Sequence, residues 1–283
     1  MLRRLATLVG LLLGGVLVVA GCSPGKATPP SGFLNGTSAH TINVGGRDRT
    51  YLLYKPAQLP ASVPLVLMLH GALGNAEQAE RAYGWDELAN SGKFVVAYPD
   101  GLDRAWNVNG GGCCGRPARE GVDDVAFITA AVADIAKKVS IDSARVYATG
   151  ISNGGMMSYT LACDTGLFAA IGPDAATQLN LCGSPRPTSV MHIHGTADRL
   201  VPYSGGQGLS VINGPSVPDV NAFWRNVDQC GTPAITTTGP VTTSTAGCTD
   251  NRSVVLITVD GGGHKWPAFA TRTLWEFFAA HPR

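Results

Sequence analysis

The run Arg145-Val146-Tyr147-Ala148-Thr149-Gly150-Ile151-Ser152-Asn153-Gly154-Gly155-Met156-Met157 constrains the fold more than any other stretch of the chain. Its apolar, β-branched and aromatic start reads as a strand, residues 150–154 as a sharp turn, and residues 156–162 as a helix. A Gly-x-Ser-x-Gly pattern between a strand and a helix makes a nucleophile elbow. The two glycines permit a turn so tight that the serine is held strained and exposed at the end of the sheet. The following helix aims its N-terminal N–H groups at the same place, which suits an oxyanion forming there. Serine is a poor nucleophile until a base takes its proton, so Ser152 requires a histidine and an acid downstream.

Upstream, residues 41–44 and 50–54 flank Gly45-Gly46-Arg47-Asp48 and read as a hairpin. Residues 64–69 are a continuous apolar run of the kind found in strands buried on both faces. They lead into His70-Gly71-Ala72-Leu73-Gly74, a small-residue loop whose backbone can approach a substrate closely. The expected oxyanion donors are the N–H groups of Asn153 and Ala72, with Leu73 as the alternative for the second. Residues 76–90 read as one helix and 94–98 as a buried strand. Residues 102–119 form a long loop containing Trp106, Asn107, Cys113 and Cys114, and a loop of that length is expected to be functional and to line a cleft. Residues 122–139 have helical periodicity, with Asp123 and Asp124 in the first turn, where carboxylates favour the helix dipole.

After the elbow, residues 169–172 read as a short strand and 189–194 as a longer one, ending in Gly195-Thr196-Ala197-Asp198. Asp198, just past a strand end, is the expected acid, with Asp174 as its competitor because it too follows a strand. His192 and His194 share one strand face and are expected to pack in the sheet, not to bind metal. Residues 218–227 read as a helix with Pro218 at its first position, followed by a Thr-rich loop from Cys230 to Cys248. A last strand, 253–259, runs into Asp260-Gly261-Gly262-Gly263-His264. On that glycine loop His264 can place one ring nitrogen over Ser152 and the other against the acid. Residues 271–280 close the chain as an amphipathic helix. The chain order Ser152, Asp198, His264 is the order used by the α/β-hydrolase fold, a mostly parallel central sheet flanked by helices. The intervals between these residues leave little room for a separate cap domain, so the cleft is expected to be fairly open.

Residues 1–22 are read as a targeting segment, with Arg3 and Arg4 ahead of an apolar stretch that ends in Val19-Ala20-Gly21-Cys22. That ending resembles a bacterial lipobox, with Cys22 as the lipidation site and a membrane anchor as the consequence. Residues 23–38, rich in Pro, Gly, Ser and Thr, are expected to be a flexible tether, and residues 39–283 the catalytic domain. The other cysteines, Cys113, Cys114, Cys163, Cys182, Cys230 and Cys248, are disulfide candidates in an exported chain. Cys230 with Cys248 is the preferred pair. Cys113 and Cys114 are expected to pair with distant partners such as Cys163 and Cys182, because a bridge between neighbours strains the intervening peptide. The near-neutral net charge of +1, with no basic block, argues against nucleic acid as a partner. The expectation is a monomer, located at the cell membrane or outside the cell, with no cofactor and no metal.

With these pieces assembled, the chain resembles carbohydrate esterase family 1, the esterases that include poly(3-hydroxybutyrate) depolymerases, feruloyl esterases and acetyl xylan esterases. The resemblance rests on Leu69-His70-Gly71, Tyr98-Pro99-Asp100-Gly101, Trp106-Asn107, Val122-Asp123-Asp124-Val125, the elbow, His194-Gly195-Thr196-Ala197-Asp198 with Val201-Pro202-Tyr203, and Gly263-His264 with Trp266-Pro267. It implies Ser152 as nucleophile, Asp198 as acid and His264 as base, and makes Trp106 and Trp266 candidates for substrate binding. Two positions depart from the pattern. Ala72 stands where many depolymerases have cysteine, which puts the pocket rim in question, and Lys265 is unusual between His264 and Trp266. The activity expected is hydrolysis of a carboxylic ester, polymeric substrates included. Acyl transfer to a sugar or lipid acceptor is the enzymatic alternative, and a binding protein on a hydrolase fold the non-enzymatic one.

Overall fold

The computed structural model describes residues 36–111, 113–209 and 212–283. The targeting segment, Cys22 and nearly all of the tether lie outside the described residues. The first strand, β1 (Thr37–Val44), starts two residues inside the stretch read as tether, and it carries His40. It pairs antiparallel with β2 (Arg47–Tyr54) across the Gly45-Gly46 turn, where both glycines have positive φ.

The remaining elements, in chain order, are β3 (Val63–Leu69), α1 (Ala76–Ala82), α2 (Trp85–Gly92), β4 (Val95–Pro99), α3 (Gly115–Glu120), α4 (Asp124–Lys138), β5 (Ile141–Ile151) and α5 (Asn153–Asp164). After them come β6 (Ala170–Asp174), β7 (Ser189–Gly195), β8 (Gly206–Gln207), β9 (Asn213–Gly214), α6 (Val217–Val227), β10 (Ala234–Thr238), β11 (Val241–Gly247), β12 (Ser253–Val259) and α7 (Ala270–Ala280). The main sheet has the order β1-β2-β4-β3-β5-β6-β7-β12-β11-β10. From β4 to β12 neighbouring strands run parallel, and an antiparallel hairpin closes each edge. This is the α/β-hydrolase architecture, and no cap domain interrupts it.

The central strands carry apolar residues on both faces because both faces are covered. Leu65, Leu67 and Leu69 of β3 join a core with Phe127 of α4, Met156 of α5 and Trp224 of α6. Val66 and Met68 point the other way, into a core with Trp85 of α2 and Leu274 and Phe278 of α7.

Several expectations need correction. The helix read over 76–90 is two helices, because Gly84 between them adopts a left-handed conformation at φ +68°. The loop after β4 is not wholly irregular, since it contains a short 3-10 turn, Leu102–Arg104, and α3. The segment between Cys230 and Cys248 is the hairpin β10–β11, whose β-branched threonines suit an edge ribbon. Helix α6 starts at Val217 behind the cap Ser216, which puts Pro218 at its second position.

The disulfides also differ in part. Cys230 pairs with Cys248, whereas Cys163 pairs with Cys182, and Cys113 bonds to its neighbour Cys114. Cys163 at the end of α5 has its Cα 5.2 Å from that of Cys182, within bridging range, so neither is left for the vicinal pair. Among the described residues no helix is long and apolar enough to cross a membrane.

Candidate active site

The strand order reverses between β3 and β5, because the chain leaves β3 toward β4 on one side and later returns to β5 on the other. In open α/β sheets a crevice forms outside the carboxyl ends of the strands at such a point. Here Leu69 and Gly150 lie side by side in register, so the loop starting at His70 and the turn at Ser152 leave the sheet together. The glycines of the turn are required by this closeness. A Cβ on Gly154 would lie 2.1 Å from the carbonyl oxygen of Leu69 and 2.6 Å from that of His70.

Ser152 takes φ +56° and ψ −123°, an unfavourable backbone conformation for a residue with a side chain, of the order of 1–3 kcal/mol. Its N–H is held by the carbonyl of Asp174 at 2.9 Å. The serine opens into a cleft of about 520 Å³ lined by Gly71, Ala72, Leu73, Tyr83, Cys114 and His264, among others.

His264 reaches this cleft from the loop after β12. Its Nδ1 lies 2.8 Å from Oδ2 of Asp198. The two loops involved touch through glycines, since a Cβ on Gly195 would sit 2.1 Å from the carbonyl oxygen of Gly262. Asp198 Oδ1 accepts the N–H groups of Leu200 and Val201, each at 2.9 Å. Burial alone would raise its pKa, but hydrogen bonds from His194, His264 and the Val201 N–H outweigh burial and hold the carboxyl well below the usual range. Asp198 is therefore ionised at neutral pH.

Asp174, the competing acid, behaves differently. It is fully buried, its Oδ2 has no hydrogen-bond partner among the described residues, and burial with the nearby Asp198 charge pushes its pKa well up. A carboxyl pushed toward its neutral form is the weaker support for an imidazolium, and Asp174 contributes its backbone carbonyl to Ser152 instead.

The two expected oxyanion donors can be judged by which backbone N–H groups are already engaged. Asn153 is the first residue of α5, so no preceding turn exists to accept its N–H. In the loop after β3, the Leu73 N–H is already given to the Arg104 carbonyl at 2.8 Å and the Gly74 N–H to Gly71 at 3.0 Å. Leu73, the alternative donor, is thereby spent, which leaves Ala72. His70 braces this loop. Its Nε2 accepts the Gly101 N–H at 2.9 Å, so Nδ1 carries the hydrogen and donates to the Gly71 carbonyl at 2.8 Å. Burial lowers its pKa and favours this neutral form.

Trp106 is not a wall of the cleft. It is fully buried, its indole N–H bonds to the His70 carbonyl at 2.9 Å, and its ring packs against His70. Its backbone grips the elbow: the Trp106 N–H donates to Asn153 Oδ1 at 2.7 Å, and its carbonyl accepts from Asn153 Nδ2 at 3.1 Å. This reciprocal pair could not be read from residue spacing, because the partners are 47 positions apart. The cleft-lining member of the long loop is Cys114. Trp266 lines a second cavity of about 370 Å³ with Asp174 and Lys265, and its ring packs 5.0 Å from Tyr83, which lines the cleft.

Asp124 proves to be more than a first-turn carboxylate. It is buried, with Oδ1 2.6 Å from the Arg49 guanidinium and Oδ2 accepting the Asn107 N–H at 2.7 Å, while Asp123 caps the helix. The His192 and His194 rings are also buried and bonded to each other, and His194 lies 3.4 Å from Asp198. Among the described residues no group of three or more His, Cys, Asp or Glu is placed to hold a metal ion.

Comparison with known proteins identifies the family and the fold. Residues 49–202 match the family described as Esterase PHB depolymerase. The chain is 33% identical over 259 residues to NocK of Nocardia uniformis subsp. tsuyamanensis, spanning 82% of this chain and 74% of that protein. It is 31% identical over 301 residues to feruloyl esterase C of Emericella nidulans, spanning 99% of this chain and 100% of the relative. An acetyl xylan esterase from Aspergillus awamori shares the fold, with a TM-score of 0.66 at 17% identity over 86% of this chain and 99% of that one.

Proposed function

This chain belongs to the Esterase PHB depolymerase family and is a carboxylic ester hydrolase, and on that premise we propose that it works as an exported, lipid-anchored serine esterase with Ser152, His264 and Asp198 as its triad. The observation that carries the reading is the meeting, at one cleft, of a strained serine at a helix N-terminus and a histidine already bonded to an ionised carboxylate.

With Nδ1 of His264 held by Asp198, Nε2 is the nitrogen left to take the Ser152 proton. The Ser152 oxygen then attacks the ester carbonyl carbon, and the oxyanion is received by the N–H groups of Asn153 and Ala72. His264 returns the proton to the departing alcohol, leaving an acyl-enzyme. Water, deprotonated by His264, attacks the acyl carbon and releases the acid and free Ser152. Within this reading, aryl, acetyl-sugar and hydroxyalkanoate esters are the substrate classes. The exposed side chains of Leu73 and Leu200 at the cleft rim suit a bulky apolar acyl or alcohol group, and the feruloyl esterase name of the relative points the same way. The three disulfides fit a chain that folds in an oxidising compartment.

The test is intact mass after treatment with a fluorophosphonate. One adduct on Ser152 is expected, absent in Ser152→Ala and lost in His264→Ala, and ester cleavage should vanish with Ser152→Ala while the melting temperature is kept. A folded protein that takes no adduct would sink the triad, and a transesterified alcohol as the main product in water would favour acyl transfer. For the anchor, Cys22→Ser should move the protein from the membrane fraction to the soluble one. Unchanged partitioning would refute lipidation at Cys22.

A further inference from the structure

Three buried groups behind Asp198 take no part in the chemistry above: Tyr159 of α5, and His192 and His194 of β7. They form an unbroken hydrogen-bond chain. The Tyr159 hydroxyl lies 2.9 Å from His192 Nδ1, and His192 Nε2 lies 3.1 Å from His194 Nδ1. His194 Nε2 then lies 2.9 Å from the Val201 carbonyl oxygen and 3.4 Å from Asp198 Oδ2.

The far end of the chain fixes the proton positions. His194 Nε2 meets a carbonyl and a carboxylate, both acceptors, so it carries hydrogen. In a neutral imidazole the other nitrogen is then an acceptor, which makes His192 Nε2 the donor to it. His192 Nδ1 is in turn an acceptor and takes the Tyr159 hydroxyl hydrogen. Burial and the adjacent His194 disfavour charge on His192, and its ring also shares a hydrogen bond with the Ala176 carbonyl. With His192 neutral, the donations between these side chains run from Tyr159 toward Asp198.

We propose that His194 is a positioning residue for Asp198, held in its donating tautomer by His192 and Tyr159. It acts at two points. Its N–H holds the Val201 carbonyl, while the N–H of the same Val201 donates to Asp198 Oδ1, so His194 fixes the turn that carries the carboxylate. The same N–H is directed near Oδ2, the oxygen that accepts from His264, and restrains that oxygen from turning away. Without this support Oδ2 is held by His264 alone, and the turn whose Leu200 and Val201 N–H groups hold Oδ1 loses the anchor of its Val201 carbonyl. The inference rests on the triad reading.

Other titratable groups face this cluster. Asp174 of β6 bears on Asp198, Tyr203 packs its ring 5.9 Å from His194, and Lys265 follows His264 in its loop. None of these donates a hydrogen bond to Asp198, so the test can isolate His194.

The experiment compares His194→Phe, His194→Gln, Tyr159→Phe and Asp198→Asn in the full chain by kcat and KM, read separately. His194→Phe keeps a ring but removes the donor. Its kcat should fall by about tenfold or more with KM within about twofold, because the base is misplaced while the cleft is intact. His194→Gln, which restores an N–H near the Nε2 position, should recover most of the lost kcat. Tyr159→Phe deletes one oxygen and keeps the fold, and it tests the chain even where the His194 variants do not fold. It frees the His192 tautomer and should lower kcat by about threefold with KM unchanged. Wild-type kinetics in Tyr159→Phe, or equal losses of kcat in the Phe and Gln variants of His194, would overturn the proposal. An active Asp198→Asn would instead remove the triad itself, so the two failures are told apart.

Discussion

Replacing Asp124 with alanine should both destabilise the protein and slow it, and the size of the first effect can be worked out. The Asp124 side chain is completely buried and Arg49 is only 4% exposed, so removing the carboxylate leaves a guanidinium with no counter-charge in the interior. The Asn107 N–H loses its acceptor at the same time. Breaking a buried ion pair from one side costs about 3–5 kcal/mol, a large share of a total stability of about 5–15 kcal/mol. Arg49 would keep its contact with the Phe127 ring, 3.9 Å away, and a long hydrogen bond to the Asp100 carbonyl at 3.4 Å, neither of which supplies a counter-charge. The isosteric Asp124→Asn is instructive, because its single carbonyl oxygen can serve either Arg49 or the Asn107 N–H, while its amide N–H₂ faces the other donor. It should therefore also be destabilising, though less so than alanine. In Arg49→Met with Asp124→Ala no charge remains buried, and the cost should drop to that of the orphaned Asn107 N–H, about 1–3 kcal/mol. Urea unfolding followed by tryptophan fluorescence measures all three. Because Asn107 adjoins Trp106, whose backbone grips Asn153, kcat of the alanine variant should fall as well. A loss below about 1 kcal/mol for Asp124→Ala, or a double variant no better than the single one, would refute this account of the pair.

Gly195→Ala would bring a Cβ within 2.1 Å of the Gly262 carbonyl oxygen, so the loop bearing His264 must shift; kcat should drop by about a hundredfold, whereas Gly263→Ala, with open space at its Cβ, should be tolerated. Equal activities in the two variants would show that the contact does not position His264. Under a strong reductant the melting temperature should fall, because Cys163–Cys182 and Cys230–Cys248 close loops of 19 and 18 positions, each worth about 3 kcal/mol on the chain-entropy estimate. The vicinal bridge closes no such loop, so Cys113→Ser with Cys114→Ser should alter catalysis at the cleft more than stability. Differential scanning fluorimetry of the reduced protein decides the first point, and an unchanged melting temperature would contradict it.

What could be read from the sequence was whatever depends on neighbours along the chain. The elbow is local: a β-branched strand, two glycines and a helix are all contained in residues 145–162, and the structure forms them there. The buried strand before His70 was legible for the same reason, since seven consecutive residues of β3 are buried and none is polar. Where a single residue interrupts a period the reading failed. Gly84 splits an otherwise continuous helical pattern, and the threonines of β10 and β11 resembled loop composition because an edge hairpin is half solvated. The cysteine pairing was misassigned because a bond between neighbours was judged by strain alone, whereas the approach of Cys163 to Cys182 depends on how α5 packs.

The parts of the site that the sequence hid share one physical cause: they are hydrogen bonds made by side chains whose partners lie on other elements. Trp106 stood as a candidate for substrate binding because the resemblance includes Trp106-Asn107 and because the long loop that carries it was expected to line a cleft. Its indole and backbone are instead consumed by His70 and Asn153, so the residue determines where the elbow helix sits relative to the loop after β3. The two oxyanion donors proposed here lie on these two segments. Their separation is consequently set by Trp106, by His70 bonded to Gly101 and Gly71, and behind them by the Asp124 carboxylate that holds Asn107. A buried ion pair far from the substrate thus reaches the oxyanion site through three successive contacts, each of which orients a backbone group. Mutations along this line should therefore change kcat more than KM, since they move groups that act on the tetrahedral intermediate and leave the cleft walls in place.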